Sequence, residues 1–194
     1  LPVLQNEVGG LRELDAGRLR AFLLGFLHRL RERGGILHPE LPERFIESAG
    51  ADEYVFHHMH HLPSFARGSR LPTLLTDDPR STRFDNVHSS SWYAHWVERC
   101  FRDVAPLTVP ADVWAATVST LVKHGLLLQE QGKRGRIWGV SPKALLLSAK
   151  TARLRCDACS HWMVVTASER AAIVGSPCLA QPCNGAYVAD TESR

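Results

Sequence analysis

Leu19, Phe22, Leu23, Phe26, Leu27 and Leu30 recur at the three- and four-residue spacing of a helix face. They predict a helix from about Ala16 to Arg33, with Asp15 as its N-cap and Gly34-Gly35 as its stop. Arg29, Arg31 and Arg33 place positive charge at its C-terminal end, where the helix dipole favours it. Pro39 and Pro42 then break the pattern. Glu43 to Ser48 predicts a short helix and Glu53 to Phe56 a strand. From Leu62 to Ser91 periodicity lapses, and Pro63, Gly68, Pro72 and Asp77-Asp78-Pro79 predict a long loop.

Helical spacing returns with Trp92, Trp96 and Val97 or Cys100, which predict a helix from Trp92 to Asp103. A second helix starts between Thr108 and Asp112. Pro110 fits its first turn, Asp112 complements its dipole, and Trp114, Val118, Leu121 and Val122 form its apolar stripe. Lys123-His124-Gly125 ends it. The next pattern is strand-like: Leu126 to Glu130, a basic turn over Gln131 to Gly135, and a returning strand over Arg136 to Val140. Ser141-Pro142 opens an expected helix from Lys143 to Ala149. In the last forty or so residues, Arg153 to Arg155 and His161 to Val165 predict two strands, and Ser168 to Ile173 a short helix capped by Ser168.

The expected fold class is therefore α+β and helix-rich, in three regions. Residues 1–86 form a helical region with a long loop. Residues 87–150 run helix, helix, strand, turn, strand, helix, the order of a winged-helix domain. Residues 151–194 form a small module. With 194 residues, the chain has room for one large domain or two to three small ones. Its 44% hydrophobic and 22% charged content is that of a soluble globular protein, and no apolar run approaches the ~20 residues of a membrane span.

The cysteines change the picture most. Cys156 and Cys159 form a Cys-x2-Cys pair, and Cys178 and Cys183 form a Cys-x4-Cys pair eighteen residues further on. Two knuckles separated by a hairpin-sized loop suit a tetrahedral zinc ion. Four thiolates fill its coordination sphere, so such a site is structural rather than catalytic. A module this small buries too little apolar surface to fold alone, and metal binding would supply much of its folding energy. Two disulfides, or buried thiols with no shared role, are the other readings. No signal peptide precedes them, and Cys100 makes the cysteine total odd, which suits a reducing, cytoplasmic compartment.

The net charge is +3. From Trp92 to Lys150 there are eight Lys or Arg against four Asp or Glu, so the excess sits in the second region. Lys133, Arg134 and Arg136 occupy the turn and Lys123 the end of the preceding helix; all four are candidate phosphate contacts. The exposed face of that helix would be Ala115, Ala116, Ser119, Thr120 and Lys123. It offers no Arg, Asn or Gln for bidentate base reading, so contacts to DNA would be largely indifferent to sequence. A solvated turn, or a protein-docking module, gives the same pattern.

Other constellations are weaker. His57, His58, His60 and His61 surround Met59 without the Glu of a metalloprotease or a third ligand. His88-Ser89-Ser90-Ser91 lacks the glycines of a nucleophile elbow. Asp77, Asp78 and Asp85 lack the Gly and Glu of a calcium loop. No phosphate-binding glycine loop occurs, and no catalytic residue is identified.

The stretches RLRAFLLGFLHRLRERGGILHP, VSTLVKHGLLLQEQGKRGRIWGVSP and LRCDACSHWMVV…GSPCLAQPCNGAY, in this order, resemble the accessory C-terminal region of large bacterial DEAD/DEAH-box superfamily II helicases. The resemblance implies a non-catalytic segment that binds or positions DNA beside the motor lobes of an ATP-driven translocase. Those motor lobes would be its partners in the same parent chain. The rival expectation is a protein-docking or scaffolding segment, and a free-standing transcription regulator comes third.

Overall fold

The structure, a computed structural model, describes residues 2–12, 14–52, 71–87, 91–101 and 110–190. Its helices are α1 (Pro2–Glu7), α2 (Ala16–Glu32), α3 (Glu43–Glu47), α4 (Trp92–Phe101), α5 (Pro110–Lys123) and α6 (Arg170–Ile173). Its strands are β1 (Leu75–Thr76), β2 (Asp85–Asn86), β3 (Leu127–Gln131), β4 (Arg136–Val140), β5 (Thr151–Cys156), β6 (Trp162–Thr166) and β7 (Tyr187–Ala189). The fold is mixed, with helices around two small sheets. Among the described residues no helix is long and apolar enough to cross a membrane.

Helix α2 forms as its sequence directs. The Asp15 carboxylate accepts from Gly17 N and Arg18 N at 2.8 and 2.9 Å, satisfying two of the amides a helix start leaves open. At the other end Gly34 takes a left-handed φ of 68°, and Gly35 N bonds back to Leu30 O at 2.7 Å. Leu19, Phe22, Leu23, Phe26 and Leu30 are buried. Phe22 and Phe26 close on the Trp114 ring of α5 at 5.2 and 4.9 Å, and Tyr93 meets the same ring edge-on at 5.6 Å. Both buried indoles in this knot find acceptors. Trp96 Nε1 donates to Phe22 O at 3.0 Å and Trp114 Nε1 to Tyr93 O at 2.7 Å, so neither carries an unmet polar group.

The first sheet has the order β2-β1-β4-β3. β3 and β4 form the expected antiparallel hairpin, with Leu127 opposite Val140 and Gln131 opposite Arg136. β1 extends it antiparallel to β4, and β2 runs parallel to β1. Residues 71–87 therefore do not continue the expected loop. Two two-residue strands are too short to show alternation; cross-strand and side-chain bonds fix them instead. Arg33 pairs with Asp85 at 3.1 Å, and Thr73 N donates to Arg33 O at 2.8 Å, tying this segment to the end of α2. A second apolar cluster of Leu37, Phe45, Ile46, Leu74, Phe84 and Ile137 seals the hairpin onto the region of residues 1–86.

The second sheet has the order β6-β5-β7, antiparallel throughout. Leu154, Met163, Val165 and Tyr187 turn one face of it inward. They join a single buried cluster with Leu19, Phe22 and Trp114, so the main core draws on all three regions read from the sequence.

Three local expectations are corrected. Lys143 to Ala149 is not a helix: only a short 3-10 turn, Pro142–Ala144, forms. Leu145, Leu146 and Leu147 are consecutive, so no face of a helix could bury them together, and Ser148 ties its hydroxyl to Lys150 instead, accepting from its amide at 3.2 Å. Leu146 and Leu147 stay 93% and 104% exposed. Helix α6 starts at Arg170. Glu169, not Ser168, occupies the cap position, and its carboxylate accepts from Thr166 N at 2.8 Å. Thr120, expected on the exposed face of α5, is buried and bonds Glu7 at 3.4 Å, because α1, which the sequence pattern did not disclose, packs there. The strand expected at Glu53 to Phe56, the His57–His61 cluster and His88 to Ser90 lie outside the described residues.

Candidate metal centre and the charged turn

Strand β5 delivers Cys156 to the end of the second sheet, where Cys156 N donates to His161 O at 2.7 Å and closes the first knuckle. Cys178 N donates to Gly185 O at 2.9 Å and closes the second. Within each knuckle an amide points at a sulfur: Ala158 N at Cys156 Sγ (3.4 Å), Ala180 N at Cys178 Sγ (3.3 Å) and Gly185 N at Cys183 Sγ (3.3 Å). Asp157 Oδ1 accepts from Ala186 N at 2.9 Å and joins the knuckles. They approach so closely that a Cβ on Gly185 would lie 2.6 Å from Cys156 Sγ, a contact no side chain tolerates.

The spacing expectation for Cys156, Cys159, Cys178 and Cys183 thus becomes a cluster in space, with all four sulfurs within 4.8 Å of one another. Cys156 Sγ lies 3.6 Å from Cys183 Sγ, and Cys159 Sγ 3.7 Å from Cys178 Sγ. A tetrahedral ion with bonds of ~2.3 Å requires sulfur separations of about 3.8 Å. The four sulfurs can hold a metal ion. All five cysteines are free thiols, Cys100 being buried away from this group. Burial, and then the adjoining Cys159 and Cys156, push the Cys178 thiol well above its ordinary pKa. A bound cation would reverse that preference by neutralising the thiolates.

Residues the cysteine spacing did not single out anchor the centre. The Tyr187 hydroxyl accepts from Leu179 N at 3.2 Å and shares a proton contact of 2.8 Å with His161 Nδ1. Helix α4 grips the second knuckle from the other side. Trp92 Nε1 donates to Leu179 O at 2.8 Å, and Arg99 donates to the carbonyls of Cys178 and, at 3.4 Å, Ala180. Arg29 stacks on the Trp92 ring at 5.3 Å and secures that indole.

The four cations singled out for phosphate contact all have internal partners. Lys123 Nζ lies 2.7 Å from Glu7 Oε1, and this bond to Lys123 holds the Glu7 carboxyl below its usual pKa. Lys133 Nζ is 3.7 Å from Glu47, and its amide donates to Glu47 O at 2.9 Å. Arg134 Nε is 3.0 Å from the buried Asp78 carboxylate, a charge contact not aligned as a hydrogen bond. Arg136 reaches Asp77 at 2.8 Å through Nε and at 2.6 Å through its amide. Every one of these carboxylates belongs to residues 1–86, on which the turn is docked. No sequence signal pairs partners this far apart along the chain.

Comparison with protein-family models, curated proteins and solved structures returns no match.

Proposed function

We propose that this chain is a non-catalytic accessory segment, a zinc-held scaffold whose winged-helix unit is a docking element rather than the principal DNA grip. Helices α4 and α5 with the β3–β4 hairpin form the winged-helix unit. Cys156, Cys159, Cys178 and Cys183 hold the ion; their soft thiolates in tetrahedral array favour zinc over hard cations. With four sulfurs on the metal no position remains for water or substrate, so the zinc supplies folding energy and rigidity rather than Lewis-acid chemistry.

One observation carries the docking reading: Lys123, Lys133, Arg134 and Arg136 each face a carboxylate of residues 1–86. A cation so neutralised has to break its own contact before it gains a phosphate. The resemblance described above makes motor lobes of a DNA helicase the partner class for the scaffold. DNA gripping by the wing is the second reading. It is favoured by the exposure of these side chains, of which Lys133 is 71% in solvent.

Replacing Lys133, Arg134 and Arg136 together by Gln separates the two. Docking predicts a lower melting temperature and unchanged duplex affinity. A uniform loss of affinity on all duplexes, with the salt slope flattened by up to ~3, would establish the wing as the DNA grip instead.

A further inference from the structure

The second sheet has one face in the core and one in solvent, and the solvent face carries a distinctive set of side chains. Register places Arg155 directly between Trp162 on β6 and Val188 on β7, and Arg153 opposite Val164. Residues opposite one another share a face. Burial alternates along β5 accordingly: Leu154 and Cys156 are buried, Arg153 and Arg155 exposed. Trp162 is 56% exposed, whereas Trp96, Trp114 and Trp138 are buried and Trp92 is half-buried and hydrogen-bonded. The guanidinium of Arg153 sits 5.1 Å from the Trp162 ring.

These arginines differ from those of the turn. No ion pair joins Arg153 or Arg155 to a carboxylate among the described residues, whereas Lys123, Lys133, Arg134 and Arg136 are each matched to one. Arg31, exposed at the end of α2, donates to Val164 O at 3.2 Å and adds a third cation along the β6 edge. Asp190, whose amide meets Arg153 O at 3.4 Å, is an acidic residue at the opposite edge. The Glu169 carboxylate, which accepts from Thr166 N of β6, offsets Arg31, so the positive charge of the face rests on Arg153 and Arg155.

From this we infer that the exposed face of β6-β5-β7 is a binding platform for single-stranded DNA: Trp162 stacks on a base, and Arg153 and Arg155 neutralise the phosphates beside it. An open aromatic flanked by cations serves a strand whose bases are unpaired, because stacking needs a free base face and tolerates any base. Bases in a duplex are already stacked and cannot offer one. Val164 and Val188, the apolar neighbours, give no partner to a 2′-hydroxyl, so the face gives a ribose strand no added contact. The inference does not rest on the docking role of the wing, since the two surfaces share no residue.

The test is fluorescence anisotropy of labelled dT12 with the zinc-loaded chain, across a salt series. Duplex DNA of the same length, rU12 and a poly-glutamate peptide serve as competitors. Wild type should bind dT12 in preference to all three. Trp162→Ala should weaken binding by roughly five- to a hundred-fold, with Trp162→Phe recovering most of it. Arg153→Gln with Arg155→Gln should lower the salt slope by about 1.4. Zinc content and circular dichroism, read on the same samples, report folding separately from binding. If a Trp162 variant loses its zinc, the arginine pair decides. Failure of wild type to bind dT12 at low salt overturns the inference, as do arginine variants with wild-type affinity and slope. Better competition by duplex, rU12 or the acidic peptide overturns it too, the peptide assigning the face to a protein partner.

Discussion

Arg136 meets Asp77 twice: its amide donates to one carboxylate oxygen at 2.6 Å and its Nε to the other at 2.8 Å. The amide bond fixes where β4 begins, and the guanidinium bond closes the pair across fifty-nine positions of sequence. The Arg136 guanidinium also lies 5.1 Å from the Trp138 ring, so its geometry is set from two sides. A hydrogen bond to a charged acceptor contributes about 1.5–3 kcal/mol, more than the ~0–1 kcal/mol of an exposed ion pair. Asp77→Ala should therefore cost about 2 kcal/mol in urea unfolding, and Arg136→Gln, which keeps the amide bond, less than about 1 kcal/mol. Equal losses in the two variants would show that the amide contact does not hold the turn.

Gly25 lies under the Trp96 indole, where a Cβ would come within 2.2 Å of the ring. In an open helix Gly→Ala stabilises by up to ~1 kcal/mol. Here overpacking against a buried ring costs about 1–3 kcal/mol, and the clash wins. Gly25→Ala should lower the melting temperature, and Gly25→Ala with Trp96→Phe should recover part of the loss. A Gly25→Ala chain more stable than wild type would contradict the packing of α2 on α4.

Glu7 ties α1 to the end of α5 through Lys123, and that bond depresses its pKa below 4.5. A carboxylate whose folded pKa is lowered adds stability above its unfolded pKa and loses it as pH falls through the folded value. The α1 contact should thus hold at neutral pH and weaken below about pH 4.5. Carbon-detected NMR titration of Glu7 should give a depressed value in wild type and an ordinary one in Lys123→Met. Identical titrations would remove the bond from the account.

Much of the helical framework is legible in the sequence because its signals are local. Asp15, Gly34 and the six-residue stripe define α2 within one turn at each end, and Gly125 defines the end of α5. The cysteine spacing locates the sulfur cluster for the same reason, since each knuckle is a local turn. What escaped is what only tertiary structure decides. β1 and β2 exist because β4 offers an edge to pair with, and Thr120 is buried because α1 covers it. The basic turn reads as a phosphate site from composition alone, since Glu7, Glu47, Asp77 and Asp78 are far away along the chain. Lys143 to Ala149 reads as a helix after Ser141-Pro142, yet Leu146 and Leu147 stay almost wholly exposed.

On the proposed reading one zinc ion, held by four thiolates, secures the C-terminal module. Elemental analysis of purified chain, beside single Cys→Ser variants at 156, 159, 178 and 183, tests it most directly. The expected result is about one zinc per chain in wild type, its removal by chelator with loss of the β5–β6–β7 signals, and weakened retention in every variant, with Cys100→Ser unaffected. A zinc-grown chain without metal, iron in its place, or full zinc content in Cys178→Ser would contradict it.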